Sequence, residues 1–346
     1  MAQDTSKHYR NLILYEIYVR NHGPNGTFAD VEADLPRIQA MGVDVAWFMP
    51  IHPIGKVNKK GSLGCPYSIA DYGEVNPEYG TKADFSRLIE RAHALGLKVM
   101  IDVVYNHTAH DSVLVRDHPD WFHQDAHGTP VTTVPEWSDV IDLKHPNPAL
   151  TDYFIETLQM WVEFGVDGFR CDVASLLPLD FWLRARASVA EIKPGVIWLA
   201  ESVHAGWVAE RRAAGLPMLS DCELYRAFDL TYDHDIWPIW QAAVVGKVPV
   251  QMKGEFVLLE AEPAIQAAWM HSDGGLYGVF NVAASGGKVA VRLPDDVYVD
   301  LLSDTPVEAC AGQMPLPESA LIVRYEAEIK SRLFYSTLLD YHREAR

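Results

Sequence analysis

Two carboxylates and an arginine are the residues of this chain best suited to chemistry. Asp167-Gly168-Phe169-Arg170-Cys171-Asp172 is a short apolar run ending in an aspartate. About thirty residues later, Trp198-Leu199-Ala200-Glu201-Ser202 brings a second such run to a glutamate. If both runs are adjacent parallel strands, Asp172 and Glu201 project from neighbouring strand ends into one pocket. Two facing carboxylates can break a glycosidic bond with retention, one attacking the anomeric carbon while the other protonates the departing oxygen. Arg170 falls on the same strand face as Asp172, where its fixed cation would hold that carboxylate ionised and oriented. Glu201 must keep its proton at neutral pH to act as the acid, and the apolar lead-in Ile197–Ala200 suits that task.

Positioning such a pair takes a repeated strand–helix unit, and the first two-thirds of the chain reads that way. Leu12–Val19 reads as a strand and Phe28–Met41 as an amphipathic helix behind Gly26-Thr27. Val43–Met49 is expected as a strand stopped by Pro50 and Pro53. Thr81 is expected to cap a helix running through Leu95, with Gly96 ending it. Leu97–Tyr105 is a near-continuous apolar run, the mark of a strand buried on both faces. Helices are expected over Pro148–Phe164 and Pro178–Ile192, and strands over Val166–Asp172 and Val196–Glu201. A weaker helix covers 205–214, followed by a poor strand at Phe228–Thr231 and a helix at Ile236–Val245. Such alternation implies parallel strands with crossover helices.

Residues 106–146 lack this rhythm and are rich in His, Asp, Pro and Trp, which marks a functional insertion rather than slack. The texture changes again near Val248. Short runs at Phe256–Leu259, Ala267–Met270, Leu276–Val282, Lys288–Arg292, Val297–Leu302 and Ala320–Glu326 are broken by Gly and Pro, as in a small antiparallel sandwich. Glu328–Arg346 reads as a helix or a tail. The expected division is therefore residues 1–247 and 248–346.

Composition narrows the class of ligand. The 346 residues carry a formal charge of −18, which argues against nucleic acid and anionic membrane surfaces. Aromatic content of 11%, including 10 Trp, would serve sugar stacking, although most of these rings are expected in the core. No apolar stretch precedes Leu12 and no window reaches the roughly 18 unbroken apolar residues of a membrane helix. A cytoplasmic protein with no secretory signal is expected. The four cysteines have no metal-ligand spacing, and Cys171 reads as a buried hydrophobe.

Several separated motifs, in order, resemble the α-amylase superfamily, glycoside hydrolase family 13, over about residues 11–245. Asp102-Val103-Val104-Tyr105-Asn106-His107 resembles the motif at the end of the third strand. Gly168-Phe169-Arg170-Cys171-Asp172-Val173-Ala174 resembles the one after the fourth strand, and Glu201 the one after the fifth. Tyr67-Ser68-Ile69-Ala70-Asp71-Tyr72 and Glu78-Tyr79-Gly80-Thr81 resemble the loop after the second. The resemblance implies a (β/α)8-type barrel with a loop domain of about 106–146 inserted after the third strand and a C-terminal antiparallel β-sandwich. It implies Asp172 as nucleophile, Glu201 as acid/base, Tyr67 stacked on the sugar, His107 bonded to a sugar hydroxyl, and Asp71 and Asp102 in support. Asn106 and Asp142 fall where some members hold calcium. Two oxygen-bearing residues are too few for that ion, and no cofactor is expected.

One family motif is missing. A His-Asp pair should follow the seventh strand, yet about a hundred residues of a full barrel are absent between Val245 and Phe256. His234-Asp235 is the one His-Asp pair after Glu201 and comes too early, which leaves Asp235 as a weak substitute. Eight strands close a barrel because tilt and shear match that number. An incomplete barrel leaves open edges that invite self-association. The expected activity is retaining hydrolysis or transglycosylation of malto-oligosaccharides, weakened by loss of the third acid. The alternative is a non-catalytic sugar-binding or protein-interaction descendant.

Overall fold

The computed structural model describes residue 2, residues 4–234, residue 237, and residues 255–260, 264–271, 274–281, 286–303, 305–318 and 320–326. Asp235, the rest of the helix expected over Ile236–Val245, and the stretch Glu328–Arg346 lie outside them. The chain divides into two units, Met1–His234 and Asp235–Arg346.

In the first unit strands and helices alternate: β1 (Leu14–Ile17), α1 (Phe28–Ala40), β2 (Val45–Phe48), α2 (Lys82–Ala94) and β3 (Lys98–Val103). An insertion follows, holding β4 (His107–Ala109), α3 (Val113–Asp117) and β5 (Val140–Asp142). The alternation then resumes with α4 (Pro148–Phe164), β6 (Gly168–Cys171), α5 (Leu179–Ile192), β7 (Ile197–Ala200), α6 (Ala205–Ala213), α7 (Asp221–Leu224) and β8 (Leu230–Thr231). The insertion is less irregular than its sequence suggests, because β4 and β5 pair antiparallel and hold its base together.

The helix starts follow from capping chemistry. Thr27 and Thr81 each accept from the backbone N–H three residues on, and Asp30 and Asp84 reach back to the cap. In α1, Phe28, Val31, Leu35 and Ile38 share one buried stripe. Asn147 caps α4, and Pro148 occupies the first turn, where its missing N–H is no loss.

The six barrel strands form one parallel sheet in the order β1-β2-β3-β6-β7-β8. Order in the sheet equals order in the chain, which is barrel winding rather than a doubly wound sheet. Strand residues alternate between two cores. Ala46 and Phe48 join the large outer core with the helices, while Val45 and Trp47 join an inner cluster with Met100, Ile197 and Leu199. Among the described residues β1 and β8 have no second neighbour, so the barrel is incomplete.

The second unit is antiparallel. Strands β9 (Glu255–Glu260), β10 (Ile265–His271), β11 (Gly274–Phe280), β13 (Asp296–Asp300), β14 (Thr305–Ala309) and β16 (Ala320–Glu326) form a sheet in the order β14-β13-β16-β11-β10-β9. Strands β12 (Lys288–Ala290) and β15 (Gln313–Pro315) form a second, smaller one. Val289 and Met314 of the small sheet share a core with Tyr277, Val279, Leu321 and Val323 of the large one. Between the layers, Gln266 Nε2 donates to the Ala290 carbonyl at 2.9 Å. Strands β14 and β15 are absent from the sequence expectation, since Pro306 breaks one run and the other is three residues long.

Candidate active site

Strand register builds the site in layers. Trp47, Met100, Gly168 and Ile197 sit side by side across the inner face. A Cβ at Gly168 would come within 2.9 Å of the Ile197 carbonyl oxygen, so glycine lets these strands approach. Above that layer Asp102, Arg170 and Leu199 are neighbours. Asp172 and Glu201 come next, one residue past the ends of β6 and β7. Asp172 N–H donates to the Val103 carbonyl at 2.9 Å and Glu201 N–H to the Cys171 carbonyl at 3.0 Å, which extends the ladder to both acids.

The Arg170 guanidinium ties the acids together. Nη1 meets Asp102 Oδ1 at 2.8 Å and Asp172 Oδ1 at 3.0 Å, and Nη2 meets Glu201 Oε1 at 2.8 Å. Nε donates to Tyr232 Oη at 3.1 Å. The rings of Trp47, Tyr67 and Tyr232 surround this cation, with centroids 5.6, 5.7 and 5.4 Å from its central carbon. Tyr67 Oη donates to Asp102 Oδ2 at 3.2 Å. Asp172 and Glu201 are thus held by the two terminal nitrogens of one guanidinium.

Three carboxylates face one cation in a dry site, so full ionisation would leave an excess of buried negative charge. Burial raises Asp102, Asp172 and Glu201 above their usual ranges, with the Asp172 charge adding to the effect on Glu201 and Arg170 opposing it in every case. Glu201 Oε2 also accepts from Val173 N–H at 2.7 Å. Val173 has φ 35°, a left-handed conformation that costs a β-branched residue on the order of 1–3 kcal/mol. That strained turn aims its N–H at the glutamate.

His107 is 5% exposed, and burial pushes it down to about 4, so its ring is neutral at pH 7. Asn106 Nδ2 lies 3.3 Å from Nδ1, which leaves the proton on Nε2, 3.8 Å from Asp172 Oδ2. A cavity of about 240 Å³ opens above these groups, lined by Lys60, Cys65, Tyr67, His107, Trp137, Asp139, Val140, Asp172, Val173 and Glu201.

Asp172, Glu201, Arg170, Tyr67, His107 and Asp102 thus converge. Asp71 does not join them: its Oδ1 accepts from Gly73 N–H at 2.9 Å and closes a local turn. Asp142 directs its carboxylate to Thr132 and Thr133, an organising role within the insertion. Asn106 Nδ2 lies 3.3 Å from His107 Nδ1. Among the described residues no cluster of three or more His, Cys, Asp or Glu could hold a metal ion. Sequence reasoning missed Trp47, Tyr232, Trp137, Lys60 and Asp139. Tyr232 had a usable signal, since it lies two residues past Leu230, on the inward face of a recognised strand.

The profile described as "Alpha amylase, catalytic domain" matches residues 16–130, and "Bacterial Alpha amylase C-terminal domain" matches residues 257–323. An alpha-amylase structure from Lactobacillus plantarum superposes with a TM-score of 0.69 at 34% identity, covering 91% of this chain and 99% of that one. The chain belongs to the α-amylase family. A noncanonic maltogenic alpha-amylase from Thermotoga neapolitana gives a TM-score of 0.54 at 27% identity, covering 92% and 99%. Among curated relatives, the alpha-1,4-glucan:maltose-1-phosphate maltosyltransferase of Cereibacter sphaeroides is 36% identical over 198 residues, 51% of this chain and 33% of its own length. The Mycobacterium tuberculosis enzyme of the same name is 28% identical over 303 residues, 78% and 42%. The chain therefore spans between a third and just over two-fifths of these relatives.

Proposed function

We propose that this α-amylase-family chain cleaves α-glucosidic bonds in malto-oligosaccharides with retention, passing the glycosyl unit to water or to a second sugar. The observation that carries this reading is the pairing of Asp172 and Glu201 with one guanidinium, both acids lining one cavity with Tyr67, His107 and Trp137. Inverting enzymes hold their carboxyls roughly 6.5–9.5 Å apart to admit a water between them, whereas retaining enzymes close that gap.

Each group then has a task. Asp172, oriented by Arg170, attacks the anomeric carbon, while Glu201, raised by burial, gives its proton to the departing oxygen. Glu201 then takes a proton from the incoming water or sugar hydroxyl, and the bond to Asp172 breaks. Neutral His107 donates Nε2–H to a sugar hydroxyl, and Tyr67 offers its ring face. Asp102 holds Arg170 and Tyr67 in place from below. No step calls on a metal or cofactor.

We propose further that turnover is slow: the family's His-Asp motif is not found at its expected place in the sequence, and loss of one preorganised group costs about 2.7–4 kcal/mol of transition-state stabilisation. No described helix is long and apolar enough to cross a membrane, and a cytoplasmic location stays part of this proposal.

Purified protein incubated with a chromogenic α-maltoside, beside Asp172→Asn and Glu201→Gln, tests the reading. Release lost in both variants supports it. Equal traces in all three proteins, with maltotriose binding unchanged by Asp172→Asn, would favour a sugar-binding descendant that no longer turns over.

A further inference from the structure

One wall of the cavity is formed by residues 132–139, a loop without regular structure that is fastened at both ends. At its start Asp142 Oδ2 accepts from Thr133 N–H at 2.7 Å and Thr133 Oγ1 at 2.6 Å. At its end three side chains hold the main chain. Lys60 Nζ donates to the Glu136 carbonyl at 2.8 Å, His110 Nε2 to the Ser138 carbonyl at 3.1 Å, and Ser68 Oγ to the Asp139 carbonyl at 2.8 Å. Lys60 also pairs with the Asp139 carboxylate, Nζ to Oδ1, at 2.8 Å.

That last pair is unequal. The Asp139 side chain is 5% exposed and the Lys60 side chain 49%. A carboxylate buried that deeply needs a compensating cation, and Lys60 supplies it. Two of the three ammonium donors are thereby engaged on the loop. Between the fastenings stands Trp137, which lines the cavity with its ring centroid 5.3 Å from that of His107.

We infer that Lys60 is a positioning residue whose ammonium latches residues 132–139, so that Trp137 forms an aromatic platform for a sugar ring next to the one over Asp172. This deepens the α-glucan reading above and rests on it. Lys60 acts through Trp137, not on the reacting atoms. Without the ammonium, Asp139 is left buried and unpaired, the loop shifts to hydrate it, and Trp137 moves with the loop.

The test is ¹⁹F NMR of the full chain labelled with 5-fluorotryptophan, with maltotriose as probe and the Trp137 signal assigned by Trp137→Phe. Maltotriose should shift that signal in the unmodified protein. Lys60→Met should displace or broaden it before sugar is added and weaken maltotriose binding by about tenfold, while Lys60→Arg retains both. Lys60→Met combined with Trp137→Ala should bind no more weakly than Trp137→Ala alone. The remaining tryptophan signals report folding. Should Lys60→Met fail to fold, the doubly neutral Lys60→Met/Asp139→Asn takes its place, with the Trp137 signal recovering part of its native position. A Trp137 signal indifferent to these changes overturns the latch, and additive losses overturn action through Trp137. Maltotriose that moves no signal, while Lys60→Met still displaces Trp137, overturns the α-glucan reading and leaves the latch standing.

Discussion

Among the described residues, strands β3, β6 and β7 have hydrogen-bonded neighbours on both sides, whereas β1 and β8 have one each. The difference shows in what the strands carry. β3 is buried from Val99 onward, and β6 and β7 are buried throughout. On β1, Leu14 is half-buried and Glu16, on the inner face, is exposed; β8 has two residues, neither buried. Asp102, Arg170, Asp172 and Glu201 all stand on the doubly paired strands or one residue beyond them. An incomplete barrel can therefore keep a rigid pair of acids, because rigidity is needed at the centre of the sheet.

Breaking the centre should have the largest effect. Glu201→Gln should lower turnover of a maltoside with a poor leaving group by about 10²–10⁴-fold, with little change in the denaturation midpoint. The pH profile sharpens the same point. Burial raises both carboxyls, so the rate should fall on the acid side as Asp172 gains its proton, above the usual aspartate range. On the alkaline side it should fall as Glu201 loses its proton, above the usual glutamate range, and Glu201→Gln should remove that limb. An alkaline limb that persists in Glu201→Gln assigns the acid to another group.

Arg170→Met comes next. It leaves the buried Asp102 and Asp172 and the half-buried Glu201 without their cation and should cost about 3–5 kcal/mol in urea unfolding. At the edge, Tyr232→Phe removes one acceptor of Arg170 and should cost about 1.5–3 kcal/mol. Equal losses for the two variants would mean that the edge is as firmly held as the centre. Hydrogen exchange gives the finest comparison: amides of β3 and β6 should exchange only through global opening, and those of β1 and β8 through cheaper local opening.

Much of this was legible in the sequence for one physical reason. A strand end places a polar residue where a buried apolar run meets the pocket, so Asp172 and Glu201 announce themselves and Arg170 follows by alternation, whereas Asp102, inside the Leu97–Tyr105 run, came through the family resemblance. Tyr67 and His107 were reachable only through the family resemblance, since their loops have no periodicity. Asp71, in the same motif as Tyr67, shows the limit, because a shared motif did not bring it to the pocket. Trp47 reads as core, and it is core, yet it also flanks the guanidinium. Lys60, Trp137 and Asp139 meet through contacts between loops about 75 residues apart in sequence, a distance over which local patterns carry no information.

The central claim is that Asp172 attacks a sugar carbon within reach of Glu201. Intact-protein and peptide mass spectrometry after incubation with 5-fluoro-α-glucosyl fluoride, whose glycosyl-enzyme turns over slowly, addresses it directly. The account predicts one fluoroglucosyl unit attached to Asp172 and none in Asp172→Asn. A label on another residue, or no label at all after prolonged incubation, would contradict it.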